Sequence, residues 1–150
     1  MTRSLIFTFA MMLALMLALP NMGATAWAQT QTQAQTQTQA YPKGDAKAGA
    51  RVYKKCVSCH MIGAGAKNRV GPHLNGIIGR AVASLKDYRY SKAMLGYAAS
   101  QPHWSKPALD AYLANPRKAV KGTRMVFAGL RKAKDRQNVI AYMQHQQAHQ

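Results

Sequence analysis

Ala48, Val52 and Cys56 recur every four residues, the spacing of one helical face, and Asp45 stands just ahead as an N-cap. The pattern predicts a helix from Ala46 to about Lys55. A short helix is expected over Ser91 to Ala98, "SKAMLGYA". Ser105 caps a third, with Pro107 in its first turn and Leu109, Tyr112 and Leu113 turned inward. Asn115-Pro116 ends it, because the residue before a proline avoids the helical region. The last helix spans about Lys132 to Gln147, with Val139, Ile140 and Met143 as its apolar side. Between these runs lie two loops, His60 to about Arg80 and "KAVKGTRMVFAG", both punctuated by glycine. No stretch alternates convincingly as a strand. The expected domain is all-α, and loops this long in so small a unit have a function or are held by something else.

The N-terminal third reads differently. Arg3 precedes the apolar run Leu5 to Leu19, Pro20 breaks it, and the small residues of "GATAWAQ" follow. Charge, short apolar core and an Ala-Trp-Ala site make a secretory signal peptide, residues 1–28, cleaved after Ala28, with Ala26 as the other site that fits. The run is short of the roughly 20 residues of a spanning helix, so no stable membrane insertion is expected after cleavage. The destination is the periplasm. "QTQTQAQTQTQA" then alternates Gln with Thr or Ala, carries no charge and has no face to bury. Residues 29–42 are expected to be a disordered linker, leaving a domain at 43–147.

Charge narrows the partners. Lys and Arg number 21 against 4 Asp and Glu, a formal +17, which attracts anionic surfaces without specifying a fold. Nucleic acid is not expected, since no aromatic-basic interleaving or recognition helix stands out and the chain is exported.

The two cysteines carry the chemistry. Cys56 and Cys59 lie in "KKCVSCHM", with His60 directly after. A disulfide closing so small a loop would stabilise little. A redox dithiol would need a βαβ setting, and a zinc site a second ligand pair. C-x-x-C-H is the attachment motif of c-type haem, two thiols each adding to one vinyl group and His60 supplying an axial nitrogen. Among the methionines outside the leader, Met61 adjoins His60 and cannot reach the other face of the ring. Met94 and Met143 read as core. Met125, in the irregular "GTRMVFAG", is the expected second ligand, a pairing that favours ferrous iron and leaves no open position.

With those residues in place, the chain from Gly44 to about Tyr142 resembles a class I cytochrome c of the mitochondrial and bacterial cytochrome c2 type. The resemblance rests on "GDAKAGARVYKKCVSCH", "VGPHLNGIIGR", "YRYSKAM", "LDAYLANPRKAVKGTRMVFAGL" and "RQNVIAYM", in that order. It implies four to five helices and long loops wrapped around one haem c, covalently held by Cys56 and Cys59, with His60 and Met125 as iron ligands. It implies that Gly49 and Tyr53 of the first helix meet Tyr142 of the last, and that the Pro72 carbonyl accepts the His60 ring N–H. It assigns Arg80, Tyr90 and Trp104 to the haem propionates, Tyr112 and Thr123 to the methionine side, and Phe127 to the exposed haem edge. Lys55, Arg117, Lys118 and Lys132 correspond to a positive ring that docks acidic patches on redox proteins.

The resemblance also implies a function: a soluble monomer carrying single electrons between partners such as a quinol-oxidising complex and an oxidase or reaction centre, and not an enzyme. The alternatives are the dedicated acceptor of one periplasmic dehydrogenase, or a weak haem peroxidase with a labile Met125. One departure bears on that lability. Lys121 stands where the family usually has proline, and Lys118 or Lys121 is expected to displace Met125 at alkaline pH.

Overall fold

The computed structural model describes residues 41–149; the expected signal peptide, and the linker up to Ala40, lie outside them. Five helices follow one another: α1 (Ala46–Tyr53), α2 (Lys92–Ser100), α3 (Lys106–Ala114), α4 (Pro116–Ala119) and α5 (Ala133–Gln147). Among the described residues the only strand-like feature is an isolated antiparallel bridge between Ala81 and His103. No described helix is long and apolar enough to cross a membrane.

The helix starts follow the sequence signals. The Asp45 carboxylate accepts the amides of Lys47 and Ala48, Ser91 accepts Met94, and Ser105 accepts Ala108, each satisfying a free first-turn N–H. α2 runs two residues past the expected Ala98, and two other boundaries also differ from expectation. α1 ends at Tyr53, because the Lys55 and Cys56 amides turn back only three residues to the Val52 and Tyr53 carbonyls; in the next turn the Cys56 carbonyl accepts both the Cys59 and His60 amides. The expected loop after Asn115 begins with α4, where the Asn115 side chain accepts the Lys118 amide and Pro116 supplies a preset φ. Asn115 thus closes one helix and opens the next.

The frame is the crossing of α1 on α5. A Cβ on Gly49 would stand 2.0 Å from the Asn138 carbonyl oxygen, so only glycine permits this approach. Asn138 is itself buried, and its side-chain oxygen accepts the Asp45 amide at 2.9 Å, tying the start of α1 to α5. Tyr53 and Tyr142 pack at 5.1 Å between ring centroids, tilted by 44°. Val139 and Ile140 on α5 are completely enclosed, and α3 adds Leu109 and Leu113 to the same core. Tyr41 also belongs to this unit: its hydroxyl donates to Asp110 on α3 at 2.8 Å, and Arg136 of α5 pairs with the other Asp110 oxygen at 3.0 Å.

Candidate functional site

The long loops line a cavity of about 610 Å3, within the roughly 300–1,000 Å3 usual for cofactor sites. Its walls come from the turn after α1, the 70–80 and 88–91 loops, α2, α3, the 123–127 segment and α5. Leu74, Ile77, Leu109, Leu113 and Met143 make it apolar, and no carboxylate among the described residues lines it.

The residues singled out from the sequence converge here. Cys56, Cys59, His60, Pro72, Arg80, Tyr90, Trp104, Tyr112, Thr123, Met125 and Phe127 all line this one cavity. They are drawn from segments far apart in the chain, so the fold alone brings them together. Burial, then the neighbouring Cys59, pushes the Cys56 thiol up to about 11, keeping it a neutral thiol before any attachment.

His60 is held on several sides. Its Nδ1 lies 2.7 Å from the Pro72 carbonyl oxygen, so the ring N–H donates there and Nε2 keeps the lone pair a metal would take. Burial lowers the imidazole's pKa, which favours the same neutral form. Tyr53 donates its hydroxyl to the His60 carbonyl, and the Gly71 amide donates to Cys59. A Cβ on Gly71 would come within 2.2 Å of the His60 ring, so this loop packs flat against the imidazole.

Met125 is held more loosely. Its sulfur accepts the Tyr112 hydroxyl at 3.3 Å, and its amide donates to Thr123 Oγ1 at 3.2 Å. Tyr112 and Thr123 hydroxyls also lie 3.3 Å apart, closing a small triangle. Burial raises the Tyr112 pKa, so its hydroxyl stays protonated and able to donate. Trp104 stacks obliquely on Tyr112 at 5.1 Å and is buried. Arg80 donates to the His73 and Asn75 carbonyls, fixing the loop that carries Pro72, while burial lowers its pKa.

The charged surroundings differ in detail from expectation. Lys55 lines the cavity, but Arg117, Lys118 and Lys132 are exposed without lining it. The cationic rim is instead completed by Arg89 and Arg124, with Arg124 donating to the Arg89 carbonyl. Both arginines lie in stretches that carry the resemblance, "YRYSKAM" and "GTRMVFAG", but no role attached to them there, and only the close approach of the two loops marks them. Val70 and Val126, 78% and 87% exposed, also stand on this cavity. Met143 is in the core, as expected, while Met94 is half-buried and packs against the core; both also line the cavity.

The donor set fits a haem: two thiols beside an oriented imidazole, a thioether from another segment, and apolar walls between. The family model for cytochrome c matches residues 46–147. Over 96 residues the chain is 49% identical to cytochrome c2 of Afifella marina, spanning 64% of this chain and 77% of that one. It is 42% identical over 108 residues to cytochrome c of Cannabis sativa, spanning 71% of this chain and 95% of that one. Among solved structures, cytochrome cH from Methylobacterium extorquens superposes with a TM-score of 0.62 at 35% identity, covering 68% of this chain and 99% of that one.

Proposed function

Because the chain belongs to the class I cytochrome c family, we propose that it is a soluble, exported electron carrier and not an enzyme, with its iron held by His60 and Met125. It carries one haem c, covalently attached through Cys56 and Cys59. When bound, that group supplies a one-electron ferric/ferrous couple.

The protein's own residues do the rest. Pro72 orients the His60 ring through the 2.7 Å bond, which fixes the tautomer and raises ligand basicity. Tyr112 donates to the Met125 sulfur and Thr123 holds the Met125 amide. Arg80, Tyr90 and Trp104 offer donors for the propionates from within the same cavity. The apolar walls exclude water, and Phe127 stands at the cavity with the exposed valines. If His60 and Met125 both hold the iron, no open position would remain for substrate, which is why carriage and not catalysis is the reading. The leader-like pattern of residues 1–28 supports export to the periplasm.

The observation that carries this reading is the convergence of His60, Met125 and the two cysteines on one apolar cavity rimmed by Lys55, Arg89 and Arg124. Such a rim steers acidic redox partners toward the cavity. Stopped-flow oxidation of the reduced protein tests it with two small oxidants of opposite charge. The rate with anionic ferricyanide is expected to fall as salt rises, and that with a cationic cobalt complex to increase. The same salt response for both would remove the docking surface from the account.

A further inference from the structure

Three aromatic rings run in sequence away from the cavity. Tyr112 lines it, and its hydroxyl donates to the Met125 sulfur at 3.3 Å. Trp104, on the same wall and buried, packs on Tyr112 at 5.1 Å between ring centroids, tilted by 57°. Tyr97 of α2 packs in turn on Trp104, at 5.9 Å and 39°. Both separations fall in the range of roughly 4.5–7 Å for rings in contact. Tyr97 is half-buried and does not line the cavity, so the series starts at the haem site and ends where solvent reaches. A second aromatic pair, Tyr88 and Tyr90, lies 4.8 Å apart but stays on the cavity wall.

Tyrosine and tryptophan give up an electron far more readily than the aliphatic side chains of this wall, and rings in contact pass it on faster than saturated chain does. Burial raises the Tyr97 and Tyr112 pKa, so both are neutral phenols that release a proton only when oxidised. The side of the cavity where Tyr112 stands is also the more loosely held one, where a small oxidant gains access once Met125 gives way.

We propose that Tyr112, Trp104 and Tyr97 form an electron relay that carries oxidising equivalents from the haem to the surface when hydrogen peroxide attacks it. The inference rests on haem in this cavity and not on the carrier reading. Peroxide takes up two electrons, and two protons from solvent, and leaves as two waters. Each electron drawn from the haem site is replaced by one from Tyr112, which recovers it from Trp104, and Trp104 from Tyr97. Tyr97 thus loses one electron to the relay and its phenolic proton to solvent, leaving a neutral radical. One electron from a soluble reductant such as ascorbate, with one proton from water, restores the phenol. Two passages for each peroxide close the balance and spare the porphyrin.

The test treats the ferric haem-loaded protein with hydrogen peroxide and a nitroso spin trap, and locates the trapped residue by peptide mass spectrometry. The expected label is on Tyr97. In Trp104→Phe that label falls several-fold while label on Tyr112 rises. Tyr97→Phe removes one hydroxyl from a half-buried ring, so its ferric spectrum stays that of the parent. Its haem bleaches faster under peroxide, and ascorbate protects it less. Where Trp104→Phe fails to hold haem, Tyr97→Phe decides alone. Absence of label on Tyr97, label confined to Tyr88 and Tyr90, undiminished Tyr97 label in Trp104→Phe, or unchanged bleaching in Tyr97→Phe would each overturn the relay. The spectrum before peroxide is added reports on the iron ligands separately, so failure of the relay and failure of the carrier reading are told apart.

Discussion

The two sides of the cavity are built to different standards. The His60 side is a tight turn closed by backbone bonds, with the ring pinned to the Pro72 carbonyl and Gly71 pressed flat against it. The Met125 side is an open segment without helix, held by the Tyr112 hydroxyl at 3.3 Å and the Thr123 hydroxyl at 3.2 Å, and flanked by Arg124 and Val126 in solvent. The first side has little room to relax. The second can move at the cost of a few weak bonds. Both proposed ligands are thus present, but fixity belongs to the histidine and adaptability to the methionine.

The sharpest way to break this contrast is Gly71→Ala. Its new Cβ would sit 2.2 Å from the His60 ring, so the ring or the loop must shift. The expected loss is about 3 kcal/mol, the upper end for overpacking, with a disturbed haem spectrum. Guanidinium unfolding of the haem-loaded variant measures it, and a loss within experimental scatter would show the His60 side to be as yielding as the other.

Tyr112→Phe probes the looser side. It removes the donor to the Met125 sulfur and the Thr123 contact, worth about 1 kcal/mol. A sulfur freed of its donor gives more electron density to ferric iron, so the reduction potential should fall, as spectroelectrochemical titration would record. A potential unchanged or raised would mean that the hydroxyl does not act on the ligand.

Lys121→Pro should have the smallest effect, in the stabilising direction. The Thr123 amide donates to the Val120 carbonyl at 3.0 Å, and Gly122 has φ +84, so residues 120–123 form a type II turn with Lys121 at the position that favours proline. The Lys121 amide has no backbone partner among the described residues, so no such bond is lost by removing it. A gain of about 0.4–1 kcal/mol is expected, together with a later onset of methionine loss in an alkaline titration. If the variant is less stable, this loop is not the turn described.

Much of this was readable in advance, for physical reasons that can be named. Asp45, Ser91 and Ser105 announce their helices because capping is local, needing only a side chain and the next few amides. The Cys56–His60 motif is likewise local. Asn115 was readable as a stop but not as the cap of α4, since a four-residue helix leaves no periodicity to detect. Gly71 gave no signal of its role, because what makes it necessary is the ring of His60 arriving from another turn. Arg89 and Arg124 were missed for the same reason: the rim exists only once two distant loops meet. Residues whose role depends on neighbours in sequence were legible, and those whose role depends on neighbours in space required the family resemblance or the structure.

The central claim is that Met125, and neither Met94 nor Met143 that share its cavity, opposes His60 on the iron. Proton NMR of the ferrous protein tests it directly, because a methionine bound to haem iron has its methyl resonance shifted far upfield by the ring. With Met125 as the ligand, this resonance is present in the parent protein, persists in Met94→Ala and Met143→Ala, and disappears in Met125→Ala. Its survival in Met125→Ala, or its loss in Met94→Ala with the haem otherwise intact, would contradict the account.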